Sequence, residues 1–503
     1  MDAASGTNDD KLNDLATGRI LPTLLRFAWP ALVSMSLNVL YNIVDRMYIG
    51  QGCGLDAIAG LAMTAPISFA LGAVGVLIGA GSSAVLSIKL GEKDMPGAER
   101  TLGQLVALKL LFGLIVPPLM YFFGLEPILR GMAGESVTPE AFAFARQYIV
   151  ITIFFNLFSH LAFGLSALMR AEGAPRTSMM CMVVGCVTNI LLDPLFIYDR
   201  IPVTFWYLDT PLFTLPGLGM KVAGAAWATN LSMMLSCFVA LAYYWSGRSV
   251  VRLRLRRVRL YRDLAPRVLA IGLAPFLMQL MGSAINFSLN HSFAKWAPSP
   301  EEGTILVSAF GIYMSVMFLF GMPAHGVQQG LAPVLGYNWG AKNFRRVRRA
   351  FDIGLGLTAV ATVSACVGSE LFAPVLARFF TDDPVGVAAA SRGIRIANSF
   401  YWTIFVNVTA TTYYQSLGRP KTAILLSLLR QCICLLPVVW FLPPLFQRHG
   451  WDPILAIWVA MPVSDVVTQL VNLPLVFRER RKLRRAMKGE GPYAVVLRDV
   501  AAA

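Results

Sequence analysis

NVLYNIVDRMYIG, residues Asn38 to Gly50, closes an apolar run that begins near Leu21. A run of that length crosses a bilayer, whose hydrocarbon core takes about 20 residues of helix. Asp45 therefore sits inside a membrane span, where an aspartate near mid-helix costs about 2.5–3.5 kcal/mol. A carboxylate persists there if something stabilises it or uses it. Asn38, Tyr41 and Asn42 precede Asp45 by seven, four and three residues and share its helix face. A polar stripe around one acid is a candidate ion site; the alternative is an acid at the outer boundary, hydrated or paired with Arg46.

The rest of the chain is made of similar segments. Of its 503 residues, 56% are hydrophobic and 14% charged, against about 45–50% and about 25% in soluble domains. That composition excludes an ordinary soluble protein. The net charge of +15 does not point to nucleic acid, because the basic residues fall in short clusters between apolar runs. Seven cysteines lie mostly within apolar runs, without paired spacing for zinc, and read as small core residues. Residues 1–20 lack a short apolar core with a cleavage site, so the first span is expected to be internal and uncleaved.

Hydropathy gives about twelve spans, at 23–50, 57–88, 101–123, 139–169, 177–198, 221–246, 266–296, 304–337, 350–378, 387–417, 422–446 and 453–478. Every even-numbered span ends in a basic loop, such as Lys89, Lys93 and Arg100, or Lys342, Arg345 and Arg346. The alternate loops hold acids, among them Glu135, Glu301, Asp382 and Asp383. This alternation places both termini in the cytoplasm.

The chain also repeats itself. Pro30 corresponds to Pro275, and GAPRT at Gly173 to GRPKT at Gly418, both 245 residues apart. GSSAVLSIKLGEKD at Gly81 resembles GLAPVLGYNWGAKN at Gly330. An all-α integral membrane protein follows, with two six-helix bundles arranged as parallel repeats. Its expected parts are a cytoplasmic segment 1–22, a first lobe 23–246, a basic linker 247–265, a second lobe 266–478 and a tail 479–503. The linker reads as a strap on the membrane surface, attracted to anionic lipid. The counterpart of Asp45 is Asn290, so the scaffold itself does not demand an acid there.

Span five supplies a second acid. Asn189 and Asp193 lie one turn apart on one face, and Thr229 falls in the same half. Asp45, Asn189, Asp193 and Thr229 are hard oxygen ligands, suited to Na⁺ and equally able to hold a proton. The alternative for Asp193 is an acid at a helix end against water. In the second half, Arg430 and Asp465 lie at comparable depth and read as a buried structural pair. Tyr41, Asn42, Asn156, Met317 and Asn407 are weaker cavity-lining candidates. Four scattered histidines and no HExxH argue against an enzyme.

YNIVDRMYIG after Pro30, RAEGAPRTSM at Arg170, NILLDPLFI at Asn189, GAAWAT at Gly224 and GYNWGAKN at Gly336 form an ordered set across both halves. In that set the chain resembles multidrug and toxic compound extrusion (MATE) transporters of the DinF- and MepA-like bacterial branch. The resemblance implies a bacterial inner-membrane antiporter that exports amphipathic or cationic compounds by alternating access, driven by H⁺ or Na⁺. It implies a monomer in the lipid bilayer, small organic substrates, no nucleic-acid partner and no cofactor beyond the coupling ion. Asp45, Asn189, Asp193 and Thr229 match the family's polar cluster, and Pro30 the proline at which span one bends. Relatives often carry Asn near the position of Ser166, which leaves a proton as the alternative to Na⁺. The rival is a flippase for lipid-linked oligosaccharides; it needs a basic cavity, and Arg430 is the clearest intramembrane basic residue in the sequence.

Overall fold

Segments this apolar satisfy their backbone polar groups within themselves, and in lipid that selects helix. The computed structural model describes residues 11–133, 138–203, 213–488, 490 and 493. Residues 1–10 and 494–503 of the expected terminal segments, and Glu135, lie outside them. Helices run as α1 (Ile20–Cys53), α2 (Leu55–Gly91), α3 (Met95–Leu119), α4 (Leu125–Ala133), α5 (Pro139–Ala171), α6 (Pro175–Ile197) and α7 (Lys221–Trp245). There follow α8 (Ala265–Trp296), α9 (Pro300–Gly340), α10 (Phe344–Leu371), α11 (Ala373–Arg378), α12 (Pro384–Asn398) and α13 (Phe405–Ser416). The last are α14 (Pro420–Leu428), α15 (Leu436–Arg448) and α16 (Pro453–Met487). Wide turns at Met120–Gly124 and Leu429–Leu435 join α3 to α4 and α14 to α15 without breaking those spans. A two-stranded hairpin, Arg200–Val203 with Phe213–Pro216, sits between α6 and α7, where the sequence reading had only a loop.

Eleven helical segments among the described residues are long and apolar enough to cross a membrane. The remaining one, the tenth expected span at 387–417, is α12 and α13 broken by a tight turn at Tyr401–Ile404. The break is tolerated because side chains of α10 take up the freed carbonyls. Cys366 donates to Asn398 O at 3.2 Å and Thr362 Oγ1 to Trp402 O at 3.2 Å.

The chain divides into two compact units. Among the described residues, unit 1 holds Lys11, 33–86 and those of 95–268; unit 2 holds 12–32, 87–94 and those from 269 onward. The division of α1 falls two residues after Pro30, which is buried in an unbroken helix. In unit 1, Met63, Ile67, Leu129, Ile149 and Ile153 form one apolar cluster, and Ile49, Ala57, Ile197, Val222 and Ala225 a second. Unit 2 packs Phe293, Phe310, Trp458 and their neighbours. The basic linker is docked along part of its length rather than lying loose. Arg257 pairs with Glu99 at 2.6 Å, and Gln104 Oε1 accepts from the Tyr261 amide at 2.6 Å.

The sequence repeats reappear in the backbone. Lys93 and Lys342 take φ of 58° and 55°, and Gly173 and Gly418 take 91° and 69°, at matching places in the repeated motifs. Within unit 2, a Cβ on Gly91 would land on the Tyr337 carbonyl oxygen, and one on Gly340 on the Ile88 carbonyl oxygen. Backbone cannot yield as a flexible side chain does, so overpacking there is costly. Gly91→Ala and Gly340→Ala should each lose about 1–3 kcal/mol, read as a lowered melting temperature in detergent; unchanged melting would contradict this packing.

The turn between α5 and α6 buries Glu172, which accepts from the Val251 amide at 3.2 Å. Burial pushes its carboxyl up to about 7; Tyr243, Val251 and Lys11 pull the other way and only partly offset it. The folded state thus disfavours the ionised form, and stability falls as pH rises from the usual 4.5 to about 7. Glu172→Gln should abolish that fall, gaining up to about 3 kcal/mol over the parent between pH 4 and pH 8. Parallel melting curves across that range would count against it.

Candidate cation site

The site lies wholly in unit 1, where α1, α6 and α7 meet. Asp45 plus one turn is Ile49; Asp193 plus one turn is Ile197; Thr229 minus one turn is Ala225. All three neighbours belong to the second apolar cluster of unit 1. The polar groups therefore occupy the layer next to an apolar plug. Tyr198 closes the same end, its hydroxyl donating to Tyr48 O at 3.3 Å.

Asp45 is 6% exposed, and Asn189 and Asp193 are fully buried. Neither carboxylate is the freely hydrated boundary acid of the alternative reading. Asn189 Nδ2 donates to Asp193 Oδ1 at 3.0 Å and to Thr229 Oγ1 at 3.3 Å. That fixes the amide so that its oxygen is left over. Asp45 Oδ1, Asn189 Oδ1 and Asp193 Oδ2 are all buried without a hydrogen-bond partner among the described residues. Asp45 acts electrostatically on Asp193, and both act on Tyr148 of α5. Buried oxygens left unpaired are expensive, and native structures keep few of them without a reason. A small cation or a proton would satisfy them. Among the described residues no three His, Cys, Asp or Glu side chains group as a metal centre would. Two carboxylates, an amide and a hydroxyl are hard oxygen ligands, able to take Na⁺ or a proton.

The other sequence candidates go elsewhere. Asn42 is exposed and donates back to Asn38 O at 2.6 Å. Asn156 faces His160 at 2.9 Å. Asn407 is buried and donates to Leu426 O at 3.1 Å, and Met317 packs on the apolar core of unit 2. Ser166 is taken up by Ser178 at 2.6 Å and Arg170 at 3.2 Å. Arg430 Nε meets Asp465 Oδ1 at 2.6 Å. Position 290 carries an ordinary amide contact, Asn290 Nδ2 to Asn286 Oδ1 at 3.1 Å.

Sequence reasoning missed Tyr148, which nothing but its neighbours in space marks. It also missed Lys109, 1% exposed and bound to Gly75 O at 2.7 Å, and the arginines Arg392 and Arg395 within the tenth span. Intramembrane basic residues are thus less rare than the sequence reading had them. The signal for Lys109 was present as a lone lysine inside an apolar run.

A sequence model of the MatE family matches residues 30–195 and again residues 276–441, once in each half. The Multidrug export protein MepA of Staphylococcus aureus (strain NCTC 8325 / PS 47) is 22% identical over 480 residues, which is 94% of this chain and 97% of that protein. A crystal structure of MATE in the bent conformation superposes with a TM-score of 0.82 at 22% identity, over 94% of this chain and 98% of that one. The MATE multidrug transporter DinF-BH, solved in complex with R6G, gives a TM-score of 0.78 at 28% identity over 92% and 97% of the two chains.

Proposed function

Because the chain belongs to the MatE family, in its MepA-like branch, we propose that it exports amphipathic, often cationic, organic molecules in exchange for H⁺ or Na⁺. Its family makes it a many-span multidrug efflux transporter handling small molecules, and not an enzyme. The rival flippase reading is set aside, since the MatE match covers both halves. We place the chain in the bacterial inner membrane with both termini cytoplasmic, working as a monomer without an organic cofactor.

One observation supports cation coupling above others: the buried, unpartnered oxygens of Asp45, Asn189 and Asp193, two carboxylates and an amide that act on one another within unit 1. With a cation bound, the layer beside the apolar plug is satisfied. Without it, two carboxylates share a site of low polarity, and the lobe gains by rearranging until they are hydrated. A coupling ion drives transport only by binding the two conformations unequally, and a site dry in one of them and wet in the other provides that difference. Pro30, where α1 passes from unit 2 to unit 1, is the proposed point of bending, because proline removes one backbone hydrogen bond from the helix. Tyr41, on the face of Asp45, is the best-placed of the cavity candidates to sense the cation, since the Asp45 charge acts on it.

The test is efflux of a fluorescent cation from proteoliposomes under a pH gradient alone, then under a Na⁺ gradient alone. One gradient should drive export well above that of empty vesicles. No export under either would refute the coupled reading.

A further inference from the structure

Unit 2 contains a cavity of about 830 Å³ that shares no residue with the cation site. Val387, Ser391, Arg392 and Arg395 recur at three- and four-residue spacing, so one face of α12 forms one wall. The short helix α11 forms the other with Arg378, and Asp382 lines the cavity from the loop between. Three arginines thus meet a single acid. None of the three takes part in any ion pair among the described residues; the arginines of unit 2 that do are Arg26, Arg348, Arg419, Arg430 and Arg480. Arg395 Nε makes one long contact, 3.4 Å, to the Glu370 carbonyl.

Two further observations point to the class of ligand. Arg392 and Arg395 lie eight and eleven residues into α12, about 12 and 16 Å along its axis from Pro384. Guanidinium groups on one helix face, without an ion-pair partner among the described residues, call for an anion that can reach them. The neighbouring surface is also strongly apolar: Leu371, Phe372, Val375, Phe379, Phe380 and Val385 are all exposed, Phe379 by 80%. An exposed apolar collar beside a nest of fork-shaped donors fits a molecule that is anionic at one end and hydrocarbon at the other.

We propose that this cavity binds the phosphodiester headgroup of an anionic phospholipid, with Arg378, Arg392 and Arg395 on the phosphate and the collar against the acyl chains. The Ser391 hydroxyl is turned to Val387 O at 2.6 Å and serves as wall rather than ligand. The Asp382 carboxylate sets a limit on the headgroup, favouring one with a hydroxyl or amine beyond the phosphate over a bare dianion.

The experiment titrates short-chain phosphatidylglycerol, phosphatidylcholine and inorganic phosphate onto the full chain in neutral detergent, reading bound lipid by native mass spectrometry and the melting shift. The parent should retain phosphatidylglycerol in preference to phosphatidylcholine. The R392Q/R395Q variant should lose about tenfold or more in phosphatidylglycerol affinity, since two charge-assisted contacts go. R392K/R395K, which keeps charge but not the fork, should fall between, and circular dichroism checks that each variant is folded. Equal binding of the two lipids, or unchanged phosphatidylglycerol binding by a folded R392Q/R395Q, overturns the site. Inorganic phosphate binding as tightly as the lipid overturns the lipid assignment in favour of a free oxyanion. The readout is binding and not efflux, so it stands or falls separately from cation coupling.

Discussion

Asp45→Asn should reduce gradient-driven efflux to the rate of empty vesicles while the protein folds and inserts normally. The substitution keeps the shape, removes the charge and turns one acceptor oxygen into an amide donor. The site tolerates it sterically, because the second half carries Asn290 at the corresponding position. Asp45 Oδ1 is buried and accepts no hydrogen bond among the described residues, so no native bond to that atom is lost. Desolvation of a carboxylate is also removed, and stability should be equal or higher. Loss of transport with retained or raised melting temperature is therefore the signature of a coupling group, whereas a structural residue would lose both together. Full efflux by Asp45→Asn under an imposed gradient would contradict the role assigned to it.

Arg430→Met should have the largest effect on stability, about 3–5 kcal/mol, because it leaves Asp465 as an uncompensated buried charge. Asp465 is 1% exposed at its side chain and Arg430 24%, so the cost falls chiefly on the acid left behind. Ser464 Oγ also ties the Arg430 carbonyl at 2.8 Å, inside the wide turn Leu429–Leu435. That contact holds the turn whichever side chain stands at 430, so the loss reports on charge and not on backbone. The companion Asp465→Leu placed on Arg430→Met should recover most of the stability, since an apolar pair of similar volume replaces an ion pair at little cost. Thermal unfolding in detergent decides it. A single variant that melts like the parent but fails to transport would move this pair from scaffold to coupling machinery.

Much of the architecture was readable from length and charge alone. Bilayer thickness sets the span, and the alternation of basic and acidic loops counts the crossings, so even the broken tenth span fell in place. Its break was not readable. It depends on Cys366 and Thr362 of a different helix catching the carbonyls of Asn398 and Trp402. The carboxylates at 45 and 193 stood out because charge is rare in such runs. What the sequence could not say is that Asn189 spends both amide hydrogens on Asp193 and Thr229, leaving its oxygen, like one oxygen of each carboxylate, buried without a partner among the described residues. Arg392 and Arg395 went unread although they lie inside the expected tenth span, because only the fold shows that they line one cavity with Arg378 of α11.

The most direct test reverses the exchange. Vesicles containing the protein are given an inward-to-outward substrate gradient with no ion gradient, and uptake of H⁺ and of Na⁺ is followed separately. Substrate should drive one of these ions uphill in the parent and neither in Asp45→Asn. Substrate leaving the parent with no movement of either ion would show that the buried carboxylates of unit 1 do not couple transport.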